Sequence, residues 1–386
     1  MAEEQGRKFQ HPLSLPLHHS ILILSLLASP FRYRRALSLA LIICTFPPLI
    51  LRPYSPDPAL SYGIATLWVF TLRVLTIHVF SRPTPEAALY RPQLEPPGAA
   101  AGYSLPKKLR WTLSLLVAQR NVGWNNSVVE STAAQQRRRG RWGYAAYVLT
   151  KVLGIYLLLD ISRTIVLQQE WMLPLDHPAY RPLGDPRRSI PARLVDVATN
   201  GGSAWGYMEL QYLLLSLIFV GLGDDEASWP PLFGSLWDAY SVQRLWGQVW
   251  HRMLRSSLVS WGRAVADCLG IREGTARFLV VVGTSFTISA VGHASAIWTA
   301  DKSLGGGALR FFLMQAAGVG VETGVVAVWR RVGGGNVQWG KWVGYAWTLA
   351  WLTYTCPMQA EEMVTIGLFK TDPVPWSVTR WALGMQ

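Results

Sequence analysis

Charged residues are scarce in this sequence of 386 residues. Asp, Glu, Lys and Arg make up 15% of it, whereas hydrophobic residues make up 50%. Soluble domains carry about 25% charged residues, and a disordered chain needs high charge with low hydrophobicity. The composition therefore excludes intrinsic disorder and argues against a set of soluble domains. It is typical of a protein that crosses a membrane several times.

Cysteine is also rare, with only Cys44, Cys268 and Cys356. Three cysteines are too few for a disulfide framework or a cysteine metal cluster. We therefore interpret them as buried small hydrophobic residues rather than as ligands or disulfide partners.

Acidic residues are the scarcer charge, since 23 Asp and Glu stand against 36 Lys and Arg. The basic residues lie between apolar runs, for example at 32–35, 107–110 and 187–188. Loops rich in Lys and Arg favour the cytosolic side of a membrane and contact anionic lipid headgroups. We therefore predict a lipid bilayer as partner and no nucleic acid, because no nucleic-acid-binding motif is visible.

Long apolar windows predict the fold. A helix needs about 20 residues to cross the hydrocarbon layer, and the clearest window, 278–300, has no formal charge. Further windows are 17–31, 36–51, 61–81, 143–167, 203–222, 311–329 and 342–360. The sequence predicts an all-α, polytopic integral membrane protein with about eight transmembrane helices. We expect it to form a single domain over residues 1–386.

Residues 229–258 are too polar to span a membrane easily. From Ser241 the segment has a helical period, with apolar residues Val242, Leu245, Trp246, Val249, Trp250 and Met253 on one face. The opposite face carries Arg244, Gln248, His251 and Arg255. The pattern predicts an interfacial amphipathic helix. By itself this pattern favours a helix whose arginines contact the lipid headgroups. Its polar face also carries His251, where a functional site could form.

His293 is the ionisable residue within the most apolar window. An ionisable group inside a membrane helix is costly and indicates a functional site. Ser285 and Ser289 precede it at helical spacing, on the same face. The alternative, tight helix packing with a hydrogen-bonded histidine, carries equal weight from this window alone.

Taken together, the two histidine segments resemble the wax-synthase-like branch of the membrane-bound O-acyltransferases. The first carries Pro-Pro-Leu-Phe-Gly at 230–234 and Trp-Gly-Gln-Val-Trp-His at 246–251. The second is Phe-Thr-Ile-Ser-Ala-Val-Gly-His at 286–293. Arg-Asn-Val-Gly-Trp-Asn at 120–125 is similar to an upstream stretch of fungal members. The resemblance covers about residues 115–300, and Leu245, Val249, Ala290 and Asn125 depart from the pattern.

The resemblance implies acyl transfer from an acyl-CoA to an alcohol within the membrane. A neutral imidazole suits the base that this reaction needs, so we expect His293 to deprotonate the acceptor hydroxyl. His251 is expected to orient the thioester or stabilise its oxyanion as a donor. No metal and no permanently bound cofactor are implied, and acyl-CoA, in particular acetyl-CoA, is the expected co-substrate.

Further site residues follow from the same resemblance. The phosphates of CoA are expected to bind Arg244, Gln248 and Arg255, because arginine matches phosphate geometry. Substrate is expected to contact Trp246, Trp250 and Ser289. The fungal-like elements favour acetyl transfer to a hydrophobic, terpenoid-like secondary metabolite. The implied location is the endoplasmic reticulum membrane, as a multi-pass protein.

Three other functions stay open at this point. One is a membrane terpene cyclase that uses an intramembrane acid such as Asp160, Glu209 or Glu322. Another is a long-chain wax-ester or sterol acyltransferase, since sequence does not determine the depth of an acyl tunnel. A transporter is disfavoured because no repeated half is visible. The sequence specifies neither the acceptor nor the oligomeric state.

Overall fold

The computed structural model describes residues 9–127, 139–332 and 338–385, and these residues form helices and no strand. The predicted all-α fold is therefore confirmed for the part of the chain described. The α-helices, numbered in chain order, are α1 Ser14–Leu27, α2 Arg34–Thr45, α3 Pro47–Leu51, α4 Pro58–Ala65, α5 Trp68–Phe80, α6 Pro85–Ala88, α7 Leu105–Val117, α8 Gly140–Val166, α9 Ile190–Gly221, α10 Val242–Arg244, α11 Arg255–Cys268, α12 Gly274–Ala300, α13 Gly306–Arg331, α14 Gln338–Thr365 and α15 Val378–Ala382.

Six helical stretches among the described residues are long and apolar enough to cross a membrane. They are Arg34–Leu51, Pro58–Phe80, Gly140–Val166, Ile190–Gly221, Gly274–Ala300 and Gly306–Arg331. The predicted count of about eight is not confirmed. The window at 17–31 forms α1, a helix of only 14 residues. The window at 342–360 lies within the long helix α14, whose many aromatic and small polar residues lower its hydropathy.

Helix α9 begins 13 residues before the predicted window of 203–222. Pro191 lies in the first turn of α9. Proline is favoured in that turn because a backbone N–H there would have no hydrogen-bond partner within the helix, so proline loses nothing by lacking it. The Ser189 hydroxyl caps the helix by accepting a hydrogen bond from the Ala192 amide at 3.3 Å.

Contacts group the chain into two compact units, and each consists of two separate segments. We call Met1–Ser131 with Arg252–Gly320 unit 1, and Thr132–His251 with Val321–Gln386 unit 2. The second segment of unit 1 begins at Arg252, directly after His251, so a boundary between the two units falls at this point of the chain. The expectation of a single domain stays a prediction.

Unit 1 has an apolar core between α1, α2, α5 and α7, centred on Leu26, Ile42 and Val74. A buried ion cluster fixes one end of it. The Glu86 carboxylate binds Arg34 at 2.7 Å and Lys108 at 3.1 Å, and all three side chains are at most 6% exposed. These two cations belong to the basic runs that were predicted to contact lipid headgroups, so for them that prediction is wrong.

The pKa of Glu86 reflects this cluster. Burial alone would raise it, but a backbone hydrogen bond and the charges of Arg34 and Lys108 hold it below the ordinary value. The carboxylate therefore stays ionised and compensates the two buried cations.

Unit 2 is built on the close packing of α8 against α9. A Cβ at Gly206 would come within 2.9 Å of the Leu159 side chain, so a larger residue there would require Leu159 to move. The acid Asp160, a candidate for acid catalysis, is fully buried in α8 and accepts a hydrogen bond from the Thr379 amide at 2.8 Å. Arg163 forms an ion pair with Asp372 at 2.8 Å. Asp160 and Arg163 therefore bind separate partners in the fold.

Candidate active site

The segment that carries His251 does not form the predicted amphipathic helix. Helix α10 is only three residues long, and a π-helical turn, Leu245–Val249, follows it. The Trp250 amide donates to the Leu245 carbonyl at 2.7 Å, and Trp250 itself is extended. Regular helix resumes only at α11. The prediction of one continuous helix from Ser241 is therefore wrong.

The predicted polar stripe is lost for the same reason. A π turn adds one residue to a helical turn and rotates every later side chain out of the 3.6-residue register. Arg244 ends α10, Gln248 lies in the π turn, His251 follows an extended residue, and Arg255 begins α11. These four residues do not share one helical face. π turns occur frequently at functional sites.

Two interactions determine the local shape of this segment. The Glu322 carboxylate accepts from the amides of Val242 at 2.5 Å and Gln243 at 2.9 Å, which caps α10. The Gly234 amide donates to the Val249 carbonyl at 2.8 Å. A Cβ at Gly234 would overlap the Gln248 carbonyl oxygen. The glycine of the Pro-Pro-Leu-Phe-Gly motif therefore lets its loop lie against the π turn.

Aromatic rings surround His251 within unit 2. Its imidazole lies 5.7 Å from the Trp250 ring and 6.2 Å from the Phe233 ring, measured between centroids. Trp246 packs edge-on against Trp250 at 5.8 Å. The two tryptophans predicted to contact substrate thus form one aromatic cluster with this histidine. Trp205 of α9 extends it by contacting Phe233 at 5.6 Å.

The arginine expected to bind CoA phosphate at the start of this segment has other partners. Arg244 donates to the Asp238 carboxylate at 2.8 Å, and its guanidinium lies 4.4 Å from the centre of the Tyr240 ring. Its charge is therefore compensated within unit 2. This geometry does not support the predicted phosphate role of Arg244.

Unit 1 contains a different group of arginines at the start of α11. Burial lowers the pKa of Arg252, and the neighbouring charges of Arg120 and Arg255 lower it further. Three like charges are therefore close together where the chain leaves His251. Arg252 was missed from the sequence, although it directly follows that histidine.

Asn121, in the upstream motif, links the membrane helix α5 to the first turn of α11. Its side-chain oxygen accepts from Arg73 of α5 at 2.5 Å, and its amide nitrogen donates to the Ser256 hydroxyl at 2.7 Å. Asn121 has a φ of 55°, a left-handed conformation that asparagine tolerates better than most residues. The motif thus fixes the loop at 120–125 against the first turn of α11.

His293 lies in α12, in unit 1, between two aromatic rings. Its imidazole stacks on Phe312 of α13 with ring centroids 4.5 Å apart and an angle of 17° between the ring planes. The Trp68 ring meets it edge-on at 5.8 Å. Its Nδ1 atom is buried and has no hydrogen-bond partner in the described structure. Such a nitrogen can accept a proton from a substrate hydroxyl.

The predicted neighbour Ser289 is buried, 7% exposed, but forms no hydrogen bond with His293 within the described residues. Aromatic rings hold the imidazole in its place. Trp68 and Phe312 were missed from the sequence because nothing in a single sequence pairs residues so far apart.

The described residues also contain no group of three His, Cys, Asp or Glu side chains that could hold a metal ion.

Comparisons with known proteins identify relatives of this chain. The profile of the "Membrane bound O-acyl transferase family" matches residues 229–314, which include both histidines. Acetyltransferase ataH of Aspergillus terreus is 30% identical over 271 residues, which are 64% of this chain and 86% of that protein. Acetyltransferase ple2 of Rhodocybe pseudopiperita is 29% identical over 82% of this chain and 85% of its own length.

A third relative, O-Mevalon transferase yanI of Aspergillus niger, is 25% identical over 78% of this chain and 72% of its own length. No solved structure matches the chain. The motif match and the coverage of these relatives show that the chain belongs to the membrane-bound O-acyltransferase family.

Proposed function

We propose that this protein transfers an acetyl group from acetyl-CoA to a hydroxyl of a hydrophobic, terpenoid-like secondary metabolite. Membership of the family implies O-acyl transfer, and two of the relatives are named acetyltransferases. The observation that carries the proposal is the His293 imidazole, which is held between two aromatic rings and whose buried Nδ1 has no partner among the described residues.

In the proposed reaction His293 acts as the general base. It takes the proton of the acceptor hydroxyl while the alcohol oxygen bonds to the acetyl carbonyl carbon. The carbon–sulfur bond of the thioester then breaks, and the proton passes from the imidazole to the leaving thiolate of CoA. The donor role of His251 towards the oxyanion remains a prediction from the family resemblance.

We also propose that Arg252 and Arg255 bind the phosphates of acetyl-CoA, with the field of Arg120 adding to theirs. Like charges close together raise the attraction for a polyanion, and the start of α11 contributes the positive end of a helix dipole. Arg255 is retained from the sequence prediction, whereas Arg252 replaces Arg244. Gln248 remains a predicted contact.

Mass spectrometry of microsomes tests the proposal. Microsomes that contain the protein would be incubated with acetyl-CoA, other acyl-CoAs and candidate terpenoid alcohols. We expect a product heavier by one acetyl unit, which disappears in His293→Ala while protein level and acyl-CoA binding persist. Transfer of only a longer or substituted acyl group would refute acetyl specificity. A ring-closed isomer of unchanged mass would refute acyl transfer, and near-normal turnover of His293→Ala would refute the base.

The cyclase alternative loses support because two of its candidate acids have structural hydrogen bonds. Asp160 binds the Thr379 amide, and Glu322 caps α10. The protein is a multi-pass membrane protein, and we propose the endoplasmic reticulum as its location because acetyl-CoA and lipophilic intermediates meet at that membrane's cytosolic face.

A further inference from the structure

Arg73 of α5 is a buried cation within the membrane-spanning stretch Pro58–Phe80, and it is only 2% exposed. Its Nη2 atom donates to the carbonyl oxygens of Leu115 and Ala118, both at 3.2 Å, and to the Asn121 side-chain oxygen at 2.5 Å. These partners are neutral, and no carboxylate forms an ion pair with Arg73 in the described part of the chain. A buried charge without a counter-ion is costly and indicates a functional site.

The structural alternative is that Arg73 only caps α7. Leu115 lies in the last turn of α7 and Ala118 directly follows that helix, so the guanidinium meets the negative end of the helix dipole. That end carries about half a unit of negative charge, and a net positive charge therefore remains at Arg73. The buried guanidinium of Arg188, in contrast, has carboxylate partners in Asp196 and Glu170. Capping thus explains part of the arrangement at Arg73 but leaves its charge incompletely compensated.

Asn121 connects Arg73 to the arginine group of unit 1, which consists of Arg120, Arg252 and Arg255. The Asn121 amide nitrogen donates to the Ser256 hydroxyl at 2.7 Å, and Ser256 directly follows Arg255. Because an amide group adds only about 2 Å between the two hydrogen bonds, Arg73 Nη2 lies within about 8 Å of the Ser256 hydroxyl. The buried charge of Arg73 is therefore close to the arginines proposed to bind the phosphates of acetyl-CoA.

We propose that the charge of Arg73 strengthens the binding of acetyl-CoA by attracting its phosphates from behind the arginine group, without contacting them. Consecutive residues are about 3.8 Å apart, so a phosphate bound by Arg252 or Arg255 would lie on the order of 10 Å from Arg73. At that distance, in partly buried surroundings, one unit charge changes the affinity for another by about tenfold. Salt screens a buried charge much less than an exposed one. This inference rests on the proposed function, in which these arginines bind the phosphates.

Binding measurements without an acceptor alcohol test the inference. The full-length protein in nanodiscs of neutral phosphatidylcholine, which contain no anionic lipid, would be titrated with acetyl-CoA and with S-acetylpantetheine. The second ligand keeps the thioester but has no phosphate. Arg73→Gln should weaken the binding of acetyl-CoA about tenfold and change that of S-acetylpantetheine less than about twofold. Arg73→Lys keeps the charge and should retain most of the affinity for acetyl-CoA.

Asn121→Asp separates the charge of Arg73 from its structural role. It places a carboxylate against Arg73, and the Ser256 hydroxyl can turn to donate to that carboxylate. The unfolding temperature should therefore be equal or higher, because a buried charge gains a counter-ion, yet the binding of acetyl-CoA should weaken about tenfold. Asn125→Asp is the matched control, since it adds the same charge to an exposed side chain of the same loop. It should change the affinity for acetyl-CoA less than about twofold, because solvent and salt screen it.

Two results would overturn the inference. One is an equal loss of affinity for acetyl-CoA and S-acetylpantetheine in Arg73→Gln, as expected if Arg73 only supports the fold. The other is an unchanged affinity of Asn121→Asp for acetyl-CoA, and this variant decides the matter if Arg73→Gln does not fold. If the native protein binds acetyl-CoA no more tightly than S-acetylpantetheine, the phosphate site of the proposed function fails. If it binds acetyl-CoA more tightly and Arg73→Gln keeps that ratio, the inference about Arg73 fails alone.

Discussion

Replacing Gly292 by alanine should displace Trp68 from His293. An added Cβ would lie 2.6 Å from the Trp68 indole carbons Cε2 and Cη2, whereas carbon atoms normally approach to about 3.5–4.0 Å. The indole would therefore have to move by about 1 Å. Overpacking of this kind costs about 1–3 kcal/mol. A displacement of about 1 Å near reacting atoms can lower turnover by about 100-fold.

Gly283→Ala on the same helix is the matched control. A Cβ at Gly283 meets nothing within 4 Å, and alanine within a helix is about 0.5–1 kcal/mol more stable than glycine. We therefore expect thermal unfolding in detergent to occur at a lower temperature in Gly292→Ala and at an equal or higher temperature in Gly283→Ala. Acetyl transfer should fall only in the first variant.

A double variant tests the proposed cause. Trp68→Phe removes the distal indole carbons that the new methyl group would meet, so Gly292→Ala combined with Trp68→Phe should recover stability relative to Gly292→Ala. Such a non-additive effect is expected only for residues in contact. If Gly292→Ala unfolds and turns over like Gly283→Ala, then Trp68 does not lie against Gly292, and the account of how His293 is held is wrong.

Three further outcomes are expected. Glu86→Gln should destabilise the protein by about 3–5 kcal/mol, because it leaves the buried cations Arg34 and Lys108 uncompensated; a thermal shift within 1 °C would contradict this. The pKa of Glu86 is lowered in the fold, so its contribution is complete above the ordinary glutamate pKa of about 4.3 and is lost as pH falls through the lower folded value. Unfolding followed from pH 6 to pH 3 should show this acid loss, and Glu86→Gln should lack it. Arg252→Ala should raise the KM for acetyl-CoA about tenfold and make this KM less dependent on salt concentration. Arg244→Ala breaks only a half-exposed ion pair and should change the KM for acetyl-CoA less than twofold.

The sequence predicted the long helices because their signal is strong and local. A window such as 278–300 has no charge and enough length, so α12 is found close to its observed limits. The count of spans was less accurate because hydropathy measures composition rather than position. Helix α14 is long but rich in tryptophan and tyrosine, which score poorly although they suit the membrane interface.

The π turn was not predictable from the apolar pattern. Residues from Val242 to Met253 follow a regular helical period, and that period is the same whether the backbone continues or bulges. The bulge depends on contacts made elsewhere in unit 2, namely Glu322 on the amides of α10 and Gly234 on the Val249 carbonyl. These contacts connect residues distant in sequence, so a local pattern cannot reveal them.

The burial of several basic residues was likewise not predictable from the local sequence. Arg34 and Lys108 lie in runs that look like headgroup-facing loops, and nothing local distinguishes them from exposed cations. Their burial depends on Glu86, which supplies the compensating charge from the short helix α6. Arg73 is similar, since its partners are the carbonyls of Leu115 and Ala118 and the side chain of Asn121.

The buried cations also show why buried polar atoms that lack a hydrogen-bond partner are informative. In a chain so poor in charge, the cations Arg34 and Lys108 are buried beside the carboxylate of Glu86, because an uncompensated buried charge would be too costly. Trp68 and His293 each have a buried ring nitrogen that finds no hydrogen-bond partner among the described residues, and the two rings are in contact. An unmet polar atom costs about 1–3 kcal/mol. A hydroxyl of the proposed alcohol acceptor would give His293 Nδ1 the partner that the described residues do not supply.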